Sequence, residues 1–200
     1  MITSSRRHLL TLLLSVLAFT GAQAQTSANP QVKFVTSAGE FVVELAADKA
    51  PATVENFLGY VRDGHYNGTI FHRVINNFMI QGGGYDAKYQ EKPTKAPIKH
   101  EGAEVKAKGG PRNTLGTIAM ARTNNPHSAS AQFFINVKDN DFLDHQAPSG
   151  QGWGYVAFGK VVSGMDVVNK IKQIPTGHGG PFPSDVPQTQ VVIQSATLVK

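Results

Sequence analysis

Residues 71–83, Phe71-His72-Arg73-Val74-Ile75-Asn76-Asn77-Phe78-Met79-Ile80-Gln81-Gly82-Gly83, constrain the fold of this chain more than any other segment. A β-like run breaks at Asn76-Asn77 and resumes as a second β-like run. Side chains of a strand alternate faces, which places Phe71, Arg73 and Ile75 together on one face of the first run. An arginine among apolar neighbours is costly unless something pairs with it. Gln81 is a candidate partner from the second run, and Phe78 and Met79 add apolar bulk nearby. One cation beside an apolar pocket, with no cysteine and no carboxylate pair in the segment, suits electrostatic catalysis on a neutral, partly apolar substrate.

The same short β rhythm runs through most of the 200 residues. Runs at 32–36 and 40–45 flank the turn Ser37-Ala38-Gly39 and read as a hairpin. Further strands are expected at 70–75, 78–82, 115–120, 132–136, 155–162 and 191–199. Two helices interrupt them. In the first, Pro51 suits the opening turn, Val54, Phe57, Leu58 and Val61 fall on one face, and Gly64 follows as a C-terminal stop. The second spans Met165 to Ile174, with Val168 and Ile171 three apart. Residues 84–113 form a long excursion of the kind that is functional or partly structured, and Thr176 to Pro187 read as a Gly/Pro loop. Eight short strands with few parallel crossovers predict a mainly β fold, an antiparallel barrel with helices plugging its open ends.

The N-terminus reads differently. Arg6, Arg7 and His8 precede an apolar stretch from Leu9 to Phe19, and Ala22-Gln23-Ala24 supplies a small-residue cleavage signal. This is the pattern of a secretory signal peptide over residues 1–24, too short to span a bilayer. A short leader, 25–31, then precedes the domain at 32–200. The leucine-rich core favours the general secretory route over the twin-arginine one. Export places the chain in the periplasm, with no membrane attachment after cleavage. The net charge of +5 drops by two when Arg6 and Arg7 leave, so the basic balance argues only weakly for nucleic acid. Lysines at 88, 92, 95, 99, 106 and 108 read as a solvated loop. With no cysteine, disulfides and thiol chemistry are excluded, and a monomer resting on its apolar core is the expectation.

Several blocks together resemble one family. Phe71 to Gly83 is similar to the signature of the cyclophilins, the peptidyl-prolyl cis-trans isomerases. Ser130 to Asn136 resembles that family's glutamine-diphenylalanine strand, and Gly116 to Ala121 the strand before it. Phe142-Leu143-Asp144 and Tyr155 to Val161 resemble the blocks that follow. The resemblance runs in order from about residue 30 to 199, and Ala121-Arg122-Thr123 looks most like the bacterial periplasmic branch. It implies an eight-stranded barrel capped by two helices, and a prolyl isomerase without cofactor or metal. Its partners would be unfolded or partly folded proline-containing polypeptides. Arg73 and Gln81 would be the catalytic pair. Phe78, Met79, Phe134 and Leu143 would seat the proline ring, with Phe142 and Tyr155 at the rim. Gln132 and the backbone of Ala121, Arg122 and Thr123 would hold the substrate chain, and the Arg122 side chain would favour acidic flanking residues. Many family members carry tryptophan where Phe142 stands, which implies weak cyclosporin binding. Trp153 does not replace it, because it precedes the Tyr155 strand.

Other constellations point nowhere specific. Asp139, Asp141 and Asp144 lack the glycine and closing glutamate of a calcium loop, and the seven histidines show no metal-ligand spacing. Gly82-Gly83-Gly84 reads as a backbone turn. The principal rival to an isomerase is a binding module or holdase using the same groove; an arginine buried beside the pocket argues against it.

Overall fold

A computed structural model describes residues 29–199; the signal peptide expected at 1–24 and the start of the expected leader lie outside them. Strands β1 (Gln31–Thr36) and β2 (Gly39–Leu45) form the first hairpin, followed by helix α1 (Pro51–Arg62). Then come β3 (Arg73–Ile75), β4 (Met79–Gly82), a short helix α2 (Gly102–Ala107), β5 (Thr117–Met120) and β6 (Phe133–Asn136). The chain ends with β7 (Ala157–Ser163), α3 (Met165–Lys172), the hairpin β8 (Thr176–Gly179) and β9 (Phe182–Pro187), and β10 (Ile193–Leu198). Eight strands make one sheet in the order β10-β1-β2-β7-β5-β6-β4-β3, and every neighbouring pair is antiparallel. The sheet curls until its edges meet. Phe71 N–H donates to Val191 O at 3.0 Å and Ile193 N–H to Thr69 O at 2.7 Å.

All eight expected strands are present, and so are both expected helices. Val54, Phe57, Leu58 and Val61 of α1 are buried in the interior. Gly64, at φ +66°, ends the helix with its N–H on Val61 O. Val168 and Ile171 of α3 are fully buried. The two helices sit at opposite ends of β2: α1 follows Leu45, whereas Val167 of α3 packs on Gly39 at the other end. Each covers one mouth of the curled sheet, where open strand ends would expose the core.

Two segments depart from expectation. The excursion at 84–113 contains α2. The expected Gly/Pro loop at 176–187 is instead a two-stranded sheet beside β3. Low hydropathy hid this hairpin, because its strands are largely solvated on both faces and carry no alternation for a reader to detect.

Candidate functional site

The curled sheet has two apolar faces. The inner one is the main core, with Phe34, Phe41, Phe57, Tyr66, Phe133 and Phe158 in mutual ring contact. On the outer face a smaller cluster joins Met79, Ala119, Phe134, Leu143 and Ala157, with Ile75, Phe78, Ala121 and Tyr155 packed against it. The period of two accounts for both: Phe133 and Ile135 of β6 point inward while Phe134 points outward. Register then lines up the outer residues. Arg73 pairs with Gln81, Gln81 with Phe134, Phe134 with Ala119, and Ala119 with Ala157. A single row across β3, β4, β6, β5 and β7 thus runs from a cation through an amide to a ring and two alanines. The two small alanines are buried beneath this cluster, so its outer surface is formed by the larger side chains packed over them, Phe134, Met79, Leu143 and Tyr155 among them.

Face-sharing in the first run is corrected. Arg73 and Ile75 lie outside, but Phe71 is buried in the main core against Phe41 and Phe133. Strand pairing starts only at Arg73, so the alternation does not extend back to Phe71. The break at Asn76-Asn77 is a three-residue turn closed by Phe78 N–H to Ile75 O at 3.1 Å. Asn77 takes φ +62°, a left-handed geometry that asparagine tolerates. Gly84 belongs to the site as well: a Cβ there would lie 2.5 Å from the Gln132 side chain.

Three walls of the pocket hang on a buried amide network. Asn140 Nδ2 donates to Phe78 O at 2.9 Å and to Asn136 Oδ1 at 2.8 Å. Asn136 Nδ2 donates to Thr117 Oγ1 at 2.9 Å and to Asn113 Oδ1 at 3.3 Å. Asn113 Nδ2 reaches Tyr155 O and the Asp144 carboxylate, both at 3.1 Å. Leu143 N–H closes on Asn140 O at 2.8 Å. Phe78, Leu143 and Tyr155 are therefore fixed through their main chains, as buried polar groups demand partners. Asp139 and Asp144 serve the same end, accepting from Leu115 N–H and from Arg112 and Asn113. Among the described residues no cluster of three His, Asp or Glu side chains could hold a metal.

The electrostatics also correct the sequence reading. Arg73 is not buried: its side chain is 45% exposed, and its Nε lies 3.7 Å from Asp185 Oδ2 of β9. Gln81 does not bond it; Gln81 Nε2 donates to Gln132 Oε1 at 3.0 Å, so the two glutamines brace each other. Burial pushes His72, next to Arg73, down to about 4, and the arginine's charge adds to the effect. The imidazole is thus neutral near pH 7, stacked on Phe182, with its Nδ1 buried and unpartnered.

On the other flank, Arg122 lies over the Tyr155 ring at 4.6 Å and donates to Gly154 O and Thr123 O. With Phe142, Leu143 and Tyr155 it lines a groove of about 520 Å³. Ala121 is partly buried and Thr123 exposed beside it. Phe142 is 72% exposed and lies flat against Phe78, ring centres 6.0 Å apart. Trp153 is away from this rim, packed among His100, His127 and His145. The structure thus gathers every proposed site residue along one outer surface. Sequence reasoning missed Asn113, Asn136, Asn140 and Asp185. Only Asn136 carried a signal, as a polar residue closing an apolar strand.

Residues 31–198 match the family described as cyclophilin type peptidyl-prolyl cis-trans isomerase/CLD. The chain is 57% identical over 167 residues to peptidyl-prolyl cis-trans isomerase B of Escherichia coli (strain K12), covering 84% of this chain and 98% of that one. It is 49% identical over 188 residues to peptidyl-prolyl cis-trans isomerase A of Dickeya dadantii (strain 3937), covering 94% of each. Its fold resembles the crystal structure of a Cryptosporidium parvum cyclophilin type isomerase in the presence of the dipeptide Ala-Pro. That comparison has a TM-score of 0.65 and 23% identity, covering 85% of this chain and 99% of the other.

Proposed function

We propose how this chain, which belongs to the cyclophilin-type peptidyl-prolyl cis-trans isomerases, performs its isomerisation: Arg73 stabilises the twisted amide of an exported polypeptide without covalent chemistry. Amide resonance sets a barrier of about 18–20 kcal/mol, and uncatalysed Xaa-Pro exchange takes tens to hundreds of seconds. At the twist the prolyl nitrogen becomes pyramidal and localises its lone pair. A donor aimed there binds the twisted amide more tightly than the planar one, and each 1.36 kcal/mol of that difference gives about tenfold in rate. The observation that carries this reading is the cross-strand row, which sets a guanidinium one amide away from the outer apolar cluster.

Roles follow from position. Phe134, Met79, Leu143 and Phe78 seat the ring, and Tyr155 and Phe142 form its rim. Gln132, held by Gln81, faces the substrate main chain. The backbone at Ala121, Arg122 and Thr123 receives the residue before proline, and Arg122 favours acidic residues there. Its guanidinium has no carboxylate partner among the described ion pairs. The reaction asks for no metal or cofactor. Partial exposure of Arg73 removes the earlier argument against a holdase, so turnover is the test. Arg73→Ala is expected to lower kcat/KM by roughly 2–4 kcal/mol in free energy, the range for losing a key electrostatic donor, with the fold intact. Arg73→Lys should fare little better, since a point charge cannot replace the fork. Near-wild-type turnover of Arg73→Ala on an Ala-Pro peptide would overturn the assignment.

The setting we propose is the periplasm, where a monomer without disulfides would assist folding of envelope proteins. The basic start, leucine-rich core and Ala22-Gln23-Ala24 support it. Intact mass of the envelope-fraction protein should give a chain starting at Gln25; a full-length cytoplasmic product would contradict it.

A further inference from the structure

The hairpin formed by β8 and β9 adds nothing to the main sheet, yet it is anchored firmly beside β3. Phe182 stacks on His72 with ring centres 5.4 Å apart and meets Tyr85 edge-on at 5.0 Å and Tyr89 at 6.3 Å. Val186 is 2% exposed. Between these two anchors the pairing is irregular. Gly179 opposes Phe182 and Gly177 opposes Val186, so three residues of β9 face one of β8. Asp185 lies in this bulge at φ +65°. Bulges re-aim side chains, and this one brings the Asp185 carboxylate to the Nε side of Arg73, at 3.7 Å.

We propose that Asp185 is a positioning residue for Arg73, holding the guanidinium by its Nε edge so that the two Nη groups remain free for the prolyl amide. This rests on the catalytic reading of Arg73 given above. An arginine on a short edge strand, with nearly half its surface in water, has many rotamers open to it. A contact at Nε narrows them without occupying the two Nη groups. His72 contributes by staying neutral, because a charged imidazole beside Arg73 would repel the guanidinium and unseat Phe182. Exposed ion pairs are weak, so the effect belongs to turnover and not to stability.

Asp185→Asn is the decisive variant. Asparagine keeps the size and tolerates the left-handed backbone, and removes only the charge. The expected result is a roughly two- to fivefold lower kcat on an Ala-Pro peptide, with KM and thermal midpoint unchanged. In an Arg73→Ala background the same change should have no further effect. A role in holding the hairpin would cost equally in both backgrounds and would overturn the proposal, as would unchanged or higher kcat in the single variant. Salt dependence offers a second reading that needs no further variant. Raising ionic strength from about 0.01 to about 1 M shortens the Debye length from about 30 to about 3 Å. Wild-type kcat should fall by a similar factor while Asp185→Asn stays flat; equal salt responses would count against the pair. Activity retained in Arg73→Ala itself would instead remove the underlying catalytic reading, so the two failures are distinguishable.

Discussion

Phe142 lies flat on Phe78 while leaving 72% of its own surface in solvent, so it offers an apolar wall and no hydrogen-bond donor. Tryptophan at this position would add an indole N–H pointing outward. In the role proposed for Phe142 at the rim, proline substrates would need only the wall, whereas a cyclic peptide drug with a carbonyl above the rim would lose a partner. A net hydrogen bond is worth about 0.5–1.5 kcal/mol, and a buried acceptor left unpaired costs about 1–3 kcal/mol. Phe142→Trp is therefore expected to tighten cyclosporin binding by roughly tenfold or more while changing peptide kcat/KM much less. Drug titration beside peptide turnover would show it, and nanomolar binding by the wild type would contradict it. Alternation placed Arg73 and Ile75 on one face correctly from sequence. It failed at Phe71 because face assignment holds only inside a paired strand, and pairing is not a property of one run.

At the scale of elements, α1 has no side-chain cap of its own. Its N-cap is Ala50, and Pro51 follows at the first position. The orphan N–H groups that every helix start exposes are met by Glu101, just before α2. Its carboxylate accepts from Ala52 N–H at 3.1 Å, and from Thr53 N–H and Thr53 Oγ1 at 2.6 Å each. A negative charge at a helix N-terminus also meets the positive end of the dipole. Glu101→Ala should thus cost about 2 kcal/mol, from a cap worth roughly 0.5–2 and hydrogen bonds to charge worth about 1.5–3. Glu101→Gln should cost less. Urea midpoints at unchanged slope would measure both; an Ala variant as stable as wild type would show the cap to be idle. The helix face at Val54, Phe57, Leu58 and Val61 was legible, but its cap was not, since Glu101 lies 48 residues from Thr53.

For the whole molecule, two buried histidines tie stability to pH. Burial pushes both His72 and His100 down to about 4, from an ordinary value of 6.5. His100 stays neutral by accepting Gly102 N–H at Nδ1. The unfolded chain takes up these protons below about pH 6.5 and the folded chain only below about 4. The stability they contribute is complete above pH 6.5 and is lost as pH falls from 6.5 through 4. For His72 the loss reaches up to about 3 kcal/mol. His72→Phe keeps a ring against Phe182 and should flatten part of the decline in urea midpoint between pH 7 and 5. A wild-type midpoint constant over that window would contradict the linkage.

By itself the sequence determined the eight strands of the sheet and the apolar faces of α1 and α3. Each is written in a local period of two or 3.6, or in a contiguous block, and such patterns survive without knowledge of what packs where. Tertiary structure alone decided the rest: the ion pair of Arg73 with Asp185, the brace between Gln81 and Gln132, the asparagine network behind Phe78 and Tyr155, and the gathering of three histidines around Trp153. These are polar contacts between residues far apart in the chain. Their energy depends on angstrom-scale distance and on burial, and neither quantity exists until the sheet has curled and brought its edges together.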